Sequence, residues 1–225
     1  MHKIKLVVFD MAGTVVDEQN IVYKTLHQAL VDGGYNNITL DEVLKDGAGK
    51  EKLRAIQDLM TIKVGVLDEK KSLEIHKNFK QNLDKNYATM EIKEQPNASE
   101  IFKWLKSQNI KVALNTGYNK TIANMLVEKL NWQVGRDIDA LVTADDANNH
   151  RPAPDMIWVA NKKLGVENNT VAKVGDSAID IDEGKNADCA LTIGVTTGAQ
   201  TRQQLQTANP DFVIDDLLEL KEILK

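Results

Sequence analysis

Four polar groups, each following an apolar run, carry the chemistry this chain could perform. The stretch "LVVFDMAGTVVD", residues 6–17, is apolar up to Asp10 and then turns polar. That is the pattern of a buried parallel strand delivering a carboxylate to the edge of a sheet. Thr116 in "NTGY", Arg151 in "DDANNHRPAPD" and Asp176 in "GDSAID" follow later apolar runs, with Asp180 one helical turn after Asp176. Carboxylates suit a hard divalent cation. A threonine hydroxyl and an arginine fork suit the oxygens of a phosphoryl group.

These groups need strands to position them. Apolar runs of strand type lie at residues 4–9, 110–115, 139–144, 171–175, 190–195 and 211–214. Between most of them lie amphipathic stretches of helix length, at 99–107, 120–130, 154–164, 179–186 and 200–208. The alternation predicts right-handed crossovers and a mostly parallel sheet. Asn97, with Glu100 three residues on, reads as a helix N-cap. Residues 16–92 break the alternation with four amphipathic helical stretches and no strand-like run. The predicted fold class is therefore α/β. A Rossmann-like parallel sheet core (1–15 and 93–225) carries an inserted all-helical cap domain (16–92), hinged near 15–17 and 91–96.

Composition narrows the partners. A net charge of -5 over 225 residues argues against a nucleic-acid partner, which calls for a basic surface. Cys189 is the only cysteine, so no internal disulfide can form; beside an apolar run it reads as a small buried hydrophobe. No signal peptide and no membrane-length apolar run is visible, so the expectation is a cytoplasmic protein without a membrane partner. His2, His27, His76 and His150 show no metal-ligand spacing. The first three read as surface residues, and His150 adjoins Arg151. Asp145 and Asp146 read equally as caps or as ligands.

The ordered set Asp10, Thr116, Arg151 and Asp176, with a helical block after the first strand, resembles the haloacid dehalogenase superfamily over nearly the whole chain. The resemblance implies that Asp10 is a nucleophile forming an aspartyl-phosphate. It implies Mg²⁺ held by Asp10, the Ala12 carbonyl and Asp176. Asp180 serves as a further ligand, as a partner of the ligands, or as a helix N-terminal charge. Thr116 and Arg151 would then meet the phosphoryl oxygens, with Gly117 letting the backbone come close.

Ala12 departs from the phosphatases of that superfamily, which carry an acid there to protonate the departing alkoxide. Such help is worth ~10² to 10⁴ in rate. "DMAGT", "TGY" and "RPAPDM" resemble instead the phosphonatase-like branch, the phosphonoacetaldehyde hydrolases. This implies cleavage of a carbon–phosphorus bond after a cap lysine has turned the substrate aldehyde into an imine. Lys50 in "DGAGKEKLRAI" stands at the branch's spacing, about forty residues after the nucleophile. Tyr118 matches the branch's tyrosine and, with Ala12 and Gly117, is expected to contact substrate. The cap departs from the branch: Leu53 replaces a histidine, Asp46-Gly47 a methionine-glycine pair, and Asn20 or a neighbour a cysteine. A small phosphonate is thus the expected substrate, and a homodimer through the cap the assembly implied by relatives. Two rivals are a phosphomonoesterase acting on a small phosphorylated metabolite and a binding protein that keeps the fold without turnover.

Overall fold

The computed structural model describes residues 3–225, so His2 lies outside the described residues. Strand β1 (Leu6–Asp10) is buried at all five positions. A two-residue strand β2 (Val16–Asp17) leads into helices α1 (Ile21–Asp32), α2 (Leu40–Gly47), α3 (Lys52–Val64) and α4 (Glu69–Thr89). A second two-residue strand, β3 (Lys93–Glu94), leads back. There follow α5 (Ala98–Ser107), β4 (Lys111–Thr116), α6 (Lys120–Lys129), β5 (Ala140–Thr143), α7 (Asp155–Leu164) and β6 (Val171–Gly175). The chain ends with α8 (Ala178–Asn186), β7 (Leu191–Val195), α9 (Arg202–Gln206), β8 (Phe212–Ile214) and α10 (Leu220–Ile223).

The six-stranded sheet has the order β5-β4-β1-β6-β7-β8 and every pairing is parallel. All six strands fall on runs the sequence marks as apolar. β1 alternates its side chains between two cores. Val7 and Phe9 join Phe102 and Leu105 of α5 and Leu126 of α6; Leu6 and Val8 join Met156, Ile157 and Ala160 of α7. Phe9 meets Phe102 edge-on at 5.5 Å and Phe102 meets Trp132 at 5.2 Å. Burying such a ring contributes roughly 1.5–3 kcal/mol, so the apolar run before Asp10 anchors the strand whose end carries the acid.

Helices α1 to α4 pack on one another. Their starts are capped locally. Thr39 and Glu42 form a reciprocal capping box on α2, Glu51 accepts from Leu53 and Arg54 at the start of α3, and Asp68 accepts from Lys71 at the start of α4. The two segments that join this block to the sheet pair with each other: β2 and β3 run antiparallel, Val16 opposite Glu94. Residues 16–92 are therefore not wholly helical, because strands two residues long leave no periodicity to read. Asn97 also differs from its expected role. Its backbone is left-handed and its side chain does not cap α5; its amide donates to Asp216 at 3.0 and 2.8 Å. Cys189 is partly exposed, and burial pushes its thiol up to about 12, so it stays protonated. No helix among the described residues is long and apolar enough to cross a membrane.

Candidate active site

Because β1 lies between β4 and β6, the carboxyl ends of three adjacent strands converge. β1 delivers Asp10, β4 delivers Thr116, the turn after β6 delivers Asp176, and the first turn of α8 delivers Asp180. Each of the three aspartates offers an oxygen within 4.8 Å of the other two, and all are buried. Gly13, with φ +84°, lies beside them, and a Cβ there would overlap Asp176. A side chain at this position is thus excluded both by backbone conformation and by space.

Arg151 reaches into the centre from the loop before α7. Its Nη1 lies 2.7 Å from Asp10 Oδ1 and 3.0 Å from Asp180 Oδ1. Its Nε donates to Glu183 Oε2 at 2.9 Å, and its Nη2 donates to the Asn115 carbonyl and Oδ1. Lys173, fully buried within β6, lies 3.1 Å from both Asp180 and Glu183 and donates to Asn115 Oδ1 at 2.7 Å. Asn115 in turn donates to Glu183. This platform of Asn115, Lys173 and Glu183 was not anticipated from sequence. The signal was present, since a lysine inside "VAKVG" must meet a buried acid or lose its charge.

The charges do not balance. Four carboxylates, Asp10, Asp176, Asp180 and Glu183, share Arg151 and Lys173, which leaves an excess of two negative charges if all six are ionised. The imbalance sits at Asp176, which pairs with no Lys or Arg among the described residues; its polar contacts are Thr14 Oγ1 at 3.5 Å and the Ala199 N–H at 2.6 Å. Burial, followed by the like charges of Asp10 and Asp180, pushes the Asp176 carboxyl well above the usual range. Burial also raises Asp10, against the opposing pull of Arg151. For Asp180 the same desolvation is outweighed by Arg151 and Lys173, which hold it low. Among the described residues nothing donates a hydrogen bond to the Ala12 carbonyl, whereas the Met11 carbonyl takes three backbone donors. Hard oxygen donors with two uncompensated charges fit a divalent cation.

A cavity of about 20 Å³ opens on this centre, lined by Asp10, Ala12, Tyr23, Lys52, Thr116, Gly117, Tyr118 and Arg151 among others. It holds about one water, so the helices beside it must yield before a substrate is admitted. Thr116 Oγ1 accepts from the Tyr118 N–H at 3.2 Å, which leaves its own proton free to donate. Among the residues expected at the site, Asp10, Ala12, Thr116, Gly117, Tyr118, Arg151, Asp176 and Asp180 are brought together.

Lys50 is not brought to Asp10. Its ammonium lies 2.8 Å from Asp58, which Arg54 also holds, and it lines a different cleft, of about 710 Å³, which reaches Arg151 but not Asp10. The lysine in the Asp10 cavity is Lys52, two residues on. Gly49, with φ +69°, seats the turn against Ser177 and Ile179 of the core, where a Cβ would overlap both. Glu51 then starts α3, and Lys52 turns inward. Its side chain is part-buried and lines both this cavity and a neighbouring cleft of about 400 Å³. It donates to the Lys50 carbonyl at 2.8 Å and lies 5.1 Å from the centre of the Tyr23 ring. Desolvation lowers its pKa, against the attraction of Asp10 and Glu18. Spacing in sequence could not separate two lysines two residues apart.

Asp145 and Asp146 are caps: Asp145 accepts from the Lys120 N–H and Asp146 from the Thr143 N–H, each through a carboxylate oxygen. His150 is exposed at the rims of two clefts.

The model of the haloacid dehalogenase-like hydrolase family matches residues 7–195. The chain belongs to that family. It is a hydrolase, and this haloacid dehalogenase-like hydrolase has curated relatives of more than one activity. It is 28% identical to "Phosphonoacetaldehyde hydrolase" of Latilactobacillus sakei, over all of this chain and 96% of the relative. It is 26% identical to "Putative pyrophosphatase PpaX" of Clostridium perfringens, over 99% of this chain and 98% of the relative. A solved phosphonoacetaldehyde hydrolase like protein from Oleispira antarctica shares the fold, with a TM-score of 0.78 and 22% identity over 99% of this chain and 92% of that one.

Proposed function

We propose that this hydrolase transfers a phosphoryl group from a small aldehyde-bearing phosphonate, such as phosphonoacetaldehyde, to Asp10, and then hydrolyses the adduct. The observation that carries the reading is the placement of a part-buried amine, Lys52, in one cavity with Asp10, where an acid after the nucleophile is missing. A carbanion leaves phosphorus poorly. Lys52 would attack the substrate aldehyde, lose water and form an imine, for which an amine of lowered pKa is suited. As an Asp10 oxygen bonds to phosphorus, the carbon–phosphorus bond breaks, and its electron pair passes into the imine to give an enamine. Arg151 holds Asp10 through Oδ1, and with the Thr116 hydroxyl it meets the charge that grows on the phosphoryl oxygens. Water then releases phosphate from Asp10, and the enamine, once protonated at carbon, is hydrolysed by a second water to free the aldehyde and Lys52.

Mg²⁺ fits the acidic centre, with Asp10, the Ala12 carbonyl, Asp176 and Asp180 as the groups that would hold it. When bound it would offset the repulsion between these carboxylates and an anionic substrate. The four-helix block between β2 and β3 acts in this reading as the cap, roughly residues 16–92, and it shuts water out of the small cavity.

Borohydride reduction with phosphonoacetaldehyde present tests the assignment. The expected product is a covalent adduct on Lys52, absent from the Lys52→Arg variant and retained by Lys50→Arg. Release of phosphate from small phosphate esters, with no trapped adduct, would support the phosphomonoesterase reading instead. In that reading the Lys52 ammonium, already a donor to the Lys50 carbonyl, simply binds phosphate.

A further inference from the structure

Glu18 lies between β2 and α1, at a position the sequence does not mark for chemistry, yet it is almost wholly buried at 2% exposure. Its Oε2 accepts from Tyr87 Oη of α4 and from Tyr118 Oη at 3.1 Å, and the two phenol oxygens are 2.7 Å apart. Its Oε1 is buried without a hydrogen-bond partner. A bare carboxylate oxygen in such a place is costly. One more proton removes the cost. A protonated Glu18 can donate to a phenol oxygen, and a phenol proton is then free to turn elsewhere. Tyr118 lines both the Asp10 cavity and the neighbouring cleft of about 400 Å³, as Lys52 and Gly117 do.

We propose that Tyr118 delivers a proton to the group departing from phosphorus and that Glu18 resupplies Tyr118. The inference rests on the reading of Asp10 as phosphoryl acceptor, and it answers the absence of an acid at Ala12. When the bond from phosphorus to oxygen breaks, the electron pair stays on oxygen; when the bond to carbon breaks, the pair passes into the imine and returns to that carbon from the enamine nitrogen. The Tyr118 O–H proton takes up this pair, and the Glu18 carboxyl proton passes to the phenolate. Glu18 ends as a carboxylate. The water that later attacks phosphorus on Asp10 releases a proton that restores it. Tyr118 is thus the catalytic group, and Glu18 is a positioning residue that acts through it.

The surroundings suit the task. Burial pushes the Glu18 carboxyl up to about 7, against hydrogen bonds from Tyr87 and Tyr118 and the charge of Lys52. Tyr23 of α1 faces the same cluster. The groups around Glu18 are therefore three phenols and one lysine, and the proton is both held and exchangeable near neutral pH.

The test compares Glu18→Gln and Tyr118→Phe with the parent on two substrates. One has a poor leaving group, phosphonoacetaldehyde or ethyl phosphate, whichever the parent turns over. The other is acetyl phosphate, whose leaving group needs no proton. On the poor leaving group, the parent's kcat/KM should fall as pH rises through about 7. Both variants should lose ~10²-fold near pH 6, and Glu18→Gln should lose the high-pH limb. On acetyl phosphate the loss should be at least about tenfold smaller. Equal losses on both substrates, or an unmoved pH limb, overturn the proposal and leave the Asp10 reading standing. If the parent releases phosphate from neither class, the Asp10 reading fails and this proposal with it. Should Glu18→Gln fail to fold, Tyr118→Phe carries the same comparison.

Discussion

Arg151 Nη1 lies 2.7 Å from Asp10 Oδ1, between two side chains that are almost wholly buried. The same guanidinium reaches Asp180, Glu183 and Asn115. A lysine offers a point charge and cannot span these partners. Arg151→Lys should lower kcat by ~10² to 10³, with a smaller change in KM. Steady-state phosphate release over a substrate series checks this.

Glu183 accepts from Asn115 and pairs with both Arg151 and Lys173 where no water reaches. Arg151 and Lys173 keep Asp180 as a partner when Glu183 loses its charge, so the cost is that of weakened buried hydrogen bonds to charged groups, ~1.5–3 kcal/mol. Glu183→Gln keeps the shape and one acceptor oxygen, so it should fall toward the lower end. Urea unfolding at neutral pH measures the difference.

The two uncompensated charges at Asp10, Asp176 and Asp180 predict that Mg²⁺ stabilises the fold. At a concentration of 100 times its dissociation constant, a bound ion adds about 2.7 kcal/mol. Thermal melting should shift upward with Mg²⁺ for the parent and much less for Asp176→Asn. The same variant should be no less stable than the parent without metal, because it removes one of three facing like charges. EDTA should abolish phosphate release by the parent, and added Mg²⁺ should restore it.

Glu18 makes stability depend on pH in the sense opposite to a paired surface acid. Its folded pKa of about 7 stands above the unfolded value of 4.5. The folded chain therefore binds more protons between those two values, and stability falls as pH rises through the window. The contribution is fully present below 4.5 and lost above 7, amounting to about 3 kcal/mol. Glu18→Gln should remove this slope. Denaturant unfolding between pH 5 and about 8 reads it directly.

The strands were legible because each is an apolar run bounded by polar residues, and parallel strands buried on both faces leave that mark. Asp10, Thr116, Arg151 and Asp176 were legible because each follows such a run. Other features depend on contacts distant in the chain. Glu18 meets Tyr87 and Tyr118 across intervals of 69 and 100 residues, and Asn97 meets Asp216 across 119. Lys50 and Lys52 differ only in which way a glycine turn directs them, a matter of backbone conformation at Gly49 and of packing against Ser177 and Ile179. The β2–β3 pairing is set by tertiary closure, since two residues carry no pattern of their own.

The central claim is that phosphorus becomes covalently joined to Asp10. The most direct measurement is acid quenching of the enzyme during turnover with Mg²⁺, followed by mass spectrometry of the peptide that contains residue 10. A phosphoryl group on Asp10 in the parent, absent from Asp10→Asn together with phosphate release, is the predicted result. Undiminished turnover by Asp10→Asn, or a phosphoryl group trapped on a different side chain, would contradict it.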